Sequence, residues 1–215
     1  MAIFDTLTSA ERAKQLSNPE GDTGLAVAEW LNERNRQGNA QAVALLGITS
    51  GNHVLEIGFG NGRTVPDVIA QAADVHYTGI DISPTMVEEA LRFNAELVAA
   101  GRVSLHLGSA ERMPFAQASF DRVFSIGVIH FWADAAGPLA EVRRVLRPGG
   151  VTQMGSIHPR TPPDFARPEY GFYLRDDTAW NALYHAAGFS EVNVQTVEID
   201  DTPSKRYVFQ ITARA

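Results

Sequence analysis

The strongest constraint on this chain is an alternation. Short runs rich in β-branched and aromatic residues recur: "HVLEI" (53–57), "HYTGI" (76–80), "VSLHL" (103–107), "RVFSI" (122–126), "VTQMGSI" (151–157), "EVNVQTVEI" (191–199) and "RYVFQIT" (206–212). Segments that read as helices separate the first five. Strands alternating with helices at this spacing predict a parallel sheet covered on both faces. Only "DDTPSK" (200–205) separates the last two runs, too little for a helical crossover, so they are expected to pair antiparallel. The expected fold is α/β: a Rossmann-like, doubly wound, seven-stranded sheet, mostly parallel, with one antiparallel strand near the C-terminus. With 215 residues, 45% of them hydrophobic, the chain can fill one core, and a single domain over 1–215 is expected.

Two helices are well punctuated. "SPTMVEEALRFNAELVAAG" has Ser83 to cap it, Pro84 for its first position and Gly101 to close it. Val87, Ala90, Leu91, Asn94, Leu97 and Val98 fall along one side of it. In "PLAEVRRVLRPGG", Leu139, Val142 and Leu146 share a face, Arg143 and Arg144 point to solvent, and Pro148 stops the helix. Residues 1–50 read as helical segments, including "GLAVAEWLNERNRQ".

Charge and composition remove several classes of function. The net charge is −7 and the pI about 5.3, with no basic run, so no nucleic-acid partner is expected. No stretch approaches the roughly 18 apolar residues of a membrane span, so no stable membrane insertion is expected. The N-terminus does not read as a signal peptide. Cysteine is absent, which excludes disulfides, thiolate metal sites and cysteine nucleophiles. The expectation is a cytoplasmic protein, monomer or homodimer.

Gly58, Gly60 and Gly62, in "VLEIGFGNGRT", follow the first strand directly. Glycines there let the chain turn tightly and let a ligand approach the backbone. The loop feeds a helix N-terminus, whose free N–H groups favour anions. A phosphate-binding P-loop would need a lysine that this stretch lacks, and the dinucleotide pattern Gly-x-Gly-x-x-Gly would need glycine where Arg63 stands. Glu56, two residues before the first glycine, would repel a pyrophosphate but suits a ligand carrying an ammonium group. Asp81 ends the second strand, 19 residues past Gly62, placed to accept hydrogen bonds from two ribose hydroxyls.

"VLEIGFGNGRT", "GIDIS", "GSAERMPFAQASFDRVFSIGVIHFW" and "VRRVLRPGG" occur in order. Together they resemble the class I S-adenosylmethionine-dependent methyltransferases, in particular the small-molecule group that includes the ubiquinone/menaquinone biosynthesis enzymes. The resemblance is strong over residues 52–157. It implies S-adenosylmethionine as cofactor, with S-adenosylhomocysteine as product. It implies that Glu56 and the loop Gly58, Phe59, Gly60 and Gly62 hold the methionine portion. Asp81 would hold the ribose, with Ile82 against the adenine. Ser109, Ala110 and Glu111 would border the adenine edge, and Ser125 and Ile126 would face the cofactor. The family often has aspartate where Ser109 stands, and a serine hydroxyl is the weaker acceptor. On this reading residues 1–50 form a helical segment over the cofactor site, 51–157 the cofactor-binding core, and 158–215 the substrate-side loop and last strands.

A sulfonium methyl is already activated, so such an enzyme mainly aligns its small-molecule acceptor for in-line displacement. A base is needed only where the acceptor must lose a proton. No metal is expected. Candidate bases lie at strand ends: His130, just past the fourth strand and the first choice, and His158, after the fifth. Trp132, His158, Tyr170, Phe172 and Tyr173 are candidates for the acceptor side, and Trp30 and Asn35 for a helix lying across the cofactor. Three other readings compete. The glycine spacing and Glu56 oppose a dinucleotide-dependent oxidoreductase. Nucleic-acid methylation lacks both a cysteine nucleophile and an Asn/Asp-Pro-Pro-Tyr motif after the fourth strand. A non-catalytic cofactor-binding protein would keep the same motifs.

Overall fold

The computed structural model describes residues 3–199 and 206–215. Its seven strands are β1 (His53–Ile57), β2 (His76–Asp81), β3 (Val103–Leu107), β4 (Phe120–Ile126), β5 (Leu146–Ile157), β6 (Ser190–Ile199) and β7 (Arg206–Arg214). They form one sheet in the order β3-β2-β1-β4-β5-β7-β6. The contacts among β1 to β5 are parallel, and β7 runs antiparallel to both β5 and β6. This is the expected Rossmann-like sheet with one reversed strand. The connection over 200–205 lies outside the described residues. No helix among the described residues is long and apolar enough to cross a membrane.

Eight helices accompany the sheet among the described residues: α1 (Ile3–Thr6), α2 (Ser9–Ser17), α3 (Gly21–Leu45), α4 (Val65–Ile69), α5 (Pro84–Phe93), α6 (Ala95–Ala99), α7 (Ala136–Val145) and α8 (Asp177–Ala186). Adjacent β1 residues Val54 and Leu55 are both fully buried, as they must be when both faces of a sheet are covered. Leu55 packs with Leu139, Val142 and Trp180 on the α7–α8 side; Val54 packs with Val43, Val68 and Tyr77 on the other. A third cluster, around Phe4, Val27, Phe165 and Phe172, joins the N-terminal helices to the segment after β5. Strand order reverses between β1 and β4, which opens a crevice at their C-terminal ends.

Three local expectations need correction. The β3–β4 connection, residues 108–119, contains no helix. Side chains of α7 satisfy its backbone instead. Glu141 accepts the Met113 N–H at 2.9 Å, and Arg144 donates to the carbonyls of Phe115 (2.7 Å) and Met113 (3.1 Å). Arg144 is therefore tied to this loop rather than directed to solvent. Leu146 begins β5 instead of ending the helix.

The helix capped by Ser83 also breaks at Asn94, which divides α5 from α6. Asn94 is buried, and its side-chain amide donates to the carbonyls of Ala90 (3.0 Å) and Gly62 (3.1 Å). A local side-chain bond competes with helix continuation. The residue placed in the apolar stripe thus ties the glycine loop to α5. Asn94→Ala is expected to lower stability by about 1–3 kcal/mol in urea unfolding. Leu91→Ala, at an exposed position of the same helix, is expected to cost less than about 0.5 kcal/mol.

Candidate active site

β1 delivers Glu56 to the crevice and then turns at Gly58 (φ 73°) and Gly60 (φ 57°). A side chain at either position would be strained. Beside Gly60 there is also open space: a Cβ built there would meet nothing within 4 Å. Its N–H donates to Asp81 Oδ2 at 2.9 Å, while Asp81 Oδ1 accepts the Ser83 N–H at 2.9 Å. The end of β2 and the loop after β1 are thereby fixed to each other through one carboxylate. Burial pushes the Asp81 carboxyl upward, opposed by the backbone N–H groups that hold it.

Glu56 is only 3% exposed. The Tyr77 hydroxyl donates to its Oε2 at 2.6 Å, and the Thr64 hydroxyl to the same oxygen at 2.9 Å. No cation pairs with it among the described residues. Desolvation pushes its pKa up to about 7, against the pull of the two hydroxyls. Burial and the adjoining carboxylate raise Tyr77 as well. The sequence gives no sign of Tyr77 or Thr64 as the residues that aim Glu56; only the pairing of β1 with β2 brings Tyr77 close.

Both carboxylates border a cavity of about 680 Å³ at the C-terminal ends of the strands. Of the residues expected here, Glu56, Gly58, Phe59, Gly60, Asp81, Ile82, Ser109, Ala110, Glu111, Ile126, His130 and Trp132 line it. So do Trp30, Asn35 and Phe172. Five do not. Gly62 faces α5, where a Cβ would stand 2.7 Å from Asn94 Nδ2 and 2.8 Å from the Ala90 Cβ. Ser125 is buried between strands and donates to the Ile57 carbonyl at 2.6 Å. His158 packs on Phe209, ring centroids 4.3 Å apart, and its Nδ1 accepts the Arg160 N–H at 2.9 Å. Tyr170 packs against the third cluster, and the Tyr173 side chain is exposed.

His130 is buried, only 3% exposed, and desolvation lowers its pKa to about 3. The ring stays neutral at any ordinary pH and is a poor proton acceptor, which corrects its reading as a base tuned near neutrality. The unforeseen lining residues include Phe4, Phe131, Phe165, Asn32 and Asn61. Asn32 Nδ2 donates to Asn61 Oδ1 at 2.9 Å, joining α3 to the glycine loop. Arg63 turns away from the cavity to pair with Glu29 of α3 and lies 3.8 Å over the Phe93 ring. Among the described residues no cluster of three or more His, Asp or Glu is arranged to hold a metal.

Comparison with known proteins places this geometry. A family described as "Methyltransferase domain" matches residues 55–153. The uncharacterized methyltransferase YdaC of Bacillus subtilis is 32% identical over 165 residues, 75% of this chain and 84% of that protein. The chain belongs to the class I S-adenosylmethionine-dependent methyltransferases. The O-methyltransferase resE of Aspergillus sclerotiorum is 38% identical over 106 residues, 49% of this chain but 40% of its own length. The chain thus spans less than half of some curated relatives that it matches. Haemonchus contortus phosphoethanolamine N-methyltransferase 2, solved with S-adenosyl-L-methionine, superposes with a TM-score of 0.78 at 17% identity. That match covers 97% of this chain and 60% of the other, and at this identity it bears on the fold.

The residues present suit the methyltransferase cofactor. A buried carboxylate with no cation beside it among the described residues matches an ammonium group, the bare flank of Gly60 admits close approach, and Asp81 stands where a ribose can be met. Without ligand, the raised pKa of Glu56 sets a pH dependence. The folded state keeps this proton up to about pH 7, the unfolded chain only to about 4.5. Its stabilising contribution is therefore fully present below pH 4.5 and lost as pH rises through 7. Urea melts at pH 5.5 and 8 should find Glu56→Gln gaining about 1–3 kcal/mol on the wild type at the higher pH.

Proposed function

We propose that this chain transfers the methyl group of S-adenosylmethionine to a small-molecule acceptor. The observation that carries this reading is the pair of buried carboxylates, Glu56 and Asp81, facing one cavity with no cation opposite Glu56 among the described residues. Glu56, aimed by Tyr77 and Thr64, receives the ammonium of the methionine portion. Asp81, held by Gly60 and Ser83, receives the ribose hydroxyls. Ile82, Ser109, Ala110 and Glu111 border the adenine. When bound, the cofactor supplies a methyl group already activated on sulfonium, so alignment of the acceptor is the main demand.

The remaining lining forms the acceptor half. Residues 1–50 act as its cover, 51–157 as the cofactor core and 158–215 as the substrate side of a single domain. His130 and Trp132 contact the acceptor rather than deprotonate it. An acceptor that must lose a proton gives it up to solvent before or during transfer. Work in the cytoplasm, on a small molecule rather than a nucleic acid, fits the acidic charge and the absence of cysteine.

Calorimetry with S-adenosylhomocysteine and with NAD tests the cofactor. Micromolar binding of the former and none of the latter is expected; the reverse would sink this reading. Asp81→Ala is expected to weaken S-adenosylhomocysteine binding at least tenfold, an effect of about 1.4 kcal/mol. An acceptor screen that detects released S-adenosylhomocysteine separates an enzyme from a cofactor-binding protein.

A further inference from the structure

The cavity has two unlike sides. One is an aromatic wall. Trp30 stacks on Phe4 with centroids 4.1 Å apart, Phe4 meets Phe165 edge-on at 5.6 Å, and Phe172 lies parallel to His130 with planes 5° apart. The other side is polar and lies between α3 and the ladder of β5 and β7. Asn35, Gly38 and Asn39 share one face of α3. Gly155 and Gln210 are cross-strand partners on β5 and β7. All five border the cavity. Arg206, on the same face of β7 as Gln210, ties the two layers together. It donates to Asn35 Oδ1 at 3.2 Å and to the Arg34 carbonyl at 3.4 Å.

This polar lobe is open where side chains would normally pack. Gly38 stands inside a 25-residue helix, where glycine is a poor helix former, yet a Cβ built on it meets nothing within 4 Å. Gly155 stands inside a central strand, and a Cβ there meets only ordinary contacts, the nearest at 3.7 Å. Neither has a positive φ. Neither turn geometry nor a crowded neighbour therefore calls for glycine, and both positions leave space beside the cavity. Gln210 borders that space and is only 4% exposed. Its Oε1 accepts a hydrogen bond from Nε2 of the fully buried Gln153. Gln210 Nε2 has no partner among the described residues and, unlike Gln153 Oε1, is not sealed off. Arg12 and Tyr207 also line the cavity but donate elsewhere. Arg12 bonds the carbonyls of Phe4 (2.9 Å) and Asp5 (3.3 Å), and the Tyr207 hydroxyl bonds Glu198 at 3.0 Å.

We infer that the acceptor carries a carbonyl oxygen, that of a ketone, ester or amide, set in this polar lobe and hydrogen-bonded to Gln210 Nε2. The inference rests on the methyl-transfer reading and names its substrate class. Gln153 is a positioning residue: its amide takes the Gln210 oxygen and so turns the Gln210 NH2 group toward the cavity. A carbonyl oxygen accepts hydrogen bonds and gives none, which suits a site whose open group is a donor. An ammonium would set donor against donor. A purely apolar acceptor would bury the Gln210 N–H groups unpaired, and a site built to hydrogen-bond its ligand rejects an analogue that leaves it so. Gly38 and Gly155 give the carbonyl-bearing arm its width, and the aromatic wall suits the apolar remainder of the molecule.

The test uses 2-acetylnaphthalene and 2-isopropenylnaphthalene as probes, a pair of one shape that differs in C=O against C=CH2. The full chain is saturated with S-adenosylhomocysteine, and binding is read by calorimetry. Wild type is expected to bind the ketone at least fivefold more tightly than the alkene. Gln210→Leu should bring that preference below twofold while S-adenosylhomocysteine affinity stays unchanged. Gly38→Leu, which fills the lobe from α3, should weaken ketone binding at least tenfold without lowering the melting temperature, a combination that loss of structure would not give. A wild type that binds neither probe or shows no preference would overturn the inference. So would a Gln210→Leu variant that keeps the preference, or a Gly38→Leu variant that binds the ketone as wild type does. If Gln210→Leu fails to bind S-adenosylhomocysteine, the wild-type preference and Gly38→Leu decide. Failure of the wild type itself to bind S-adenosylhomocysteine would instead overturn the methyl-transfer reading.

Discussion

A buried carboxylate with no cation beside it is expensive to maintain, and among the described residues the site is built around one. Glu56 is enclosed, and what offsets its desolvation is a pair of hydroxyl donors rather than a lysine or arginine. Two oriented dipoles recover part of the lost hydration, which is why the group is held near neutrality rather than fully ionised. Such an arrangement favours a cation brought from outside. The neighbouring Asp81 is treated differently: backbone N–H groups hold it and meet part of its cost inside the protein, while burial still raises its pKa. The two acids at one crevice are therefore unequal, one poised for a positive charge and the other for neutral hydroxyls.

The helical cover is not an independent layer. Asn32 bonds Asn61, Glu29 pairs with Arg63, and Ser83 donates to the Pro19 carbonyl, so three separate contacts join the N-terminal segment to the cofactor loop and to the start of α5. Asn94 secures the same loop from behind through the Gly62 carbonyl. The loop's shape, the position of α3 and the aromatic wall it carries are consequently coupled. Arg63, which distinguishes this loop from a dinucleotide fingerprint, takes no part in the cavity and serves this coupling.

Much of the fold was legible because strand runs bounded by turn residues leave little freedom. The spans of β1 and β3 match the runs read from sequence, and the reversed β7 follows from too short a connection. Glu56, Gly60 and Asp81 were legible because their chemistry is local to strand ends. What was hidden depends on distant packing. The β3–β4 loop stays irregular because Glu141 and Arg144 reach it from another element. His158 and Tyr173 follow the right strands, but their side chains turn away from the cavity. Phe4 and Phe165 lie far apart in the chain, and no periodicity joins them. The burial of His130, which lowers its pKa, is likewise a property of the assembled wall.

The claim that Glu56 awaits an external positive charge can be measured as protons. Binding an ammonium-bearing ligand should force Glu56 to ionise. Calorimetric titration with S-adenosylhomocysteine at pH 6.5, in buffers of different ionisation enthalpy, counts the protons exchanged. With a pKa of about 7 in the free protein, binding should release more than about half a proton per site, and Glu56→Gln should abolish the release. Tight binding with no proton release in the wild type, or an equal release in the variant, would contradict the account.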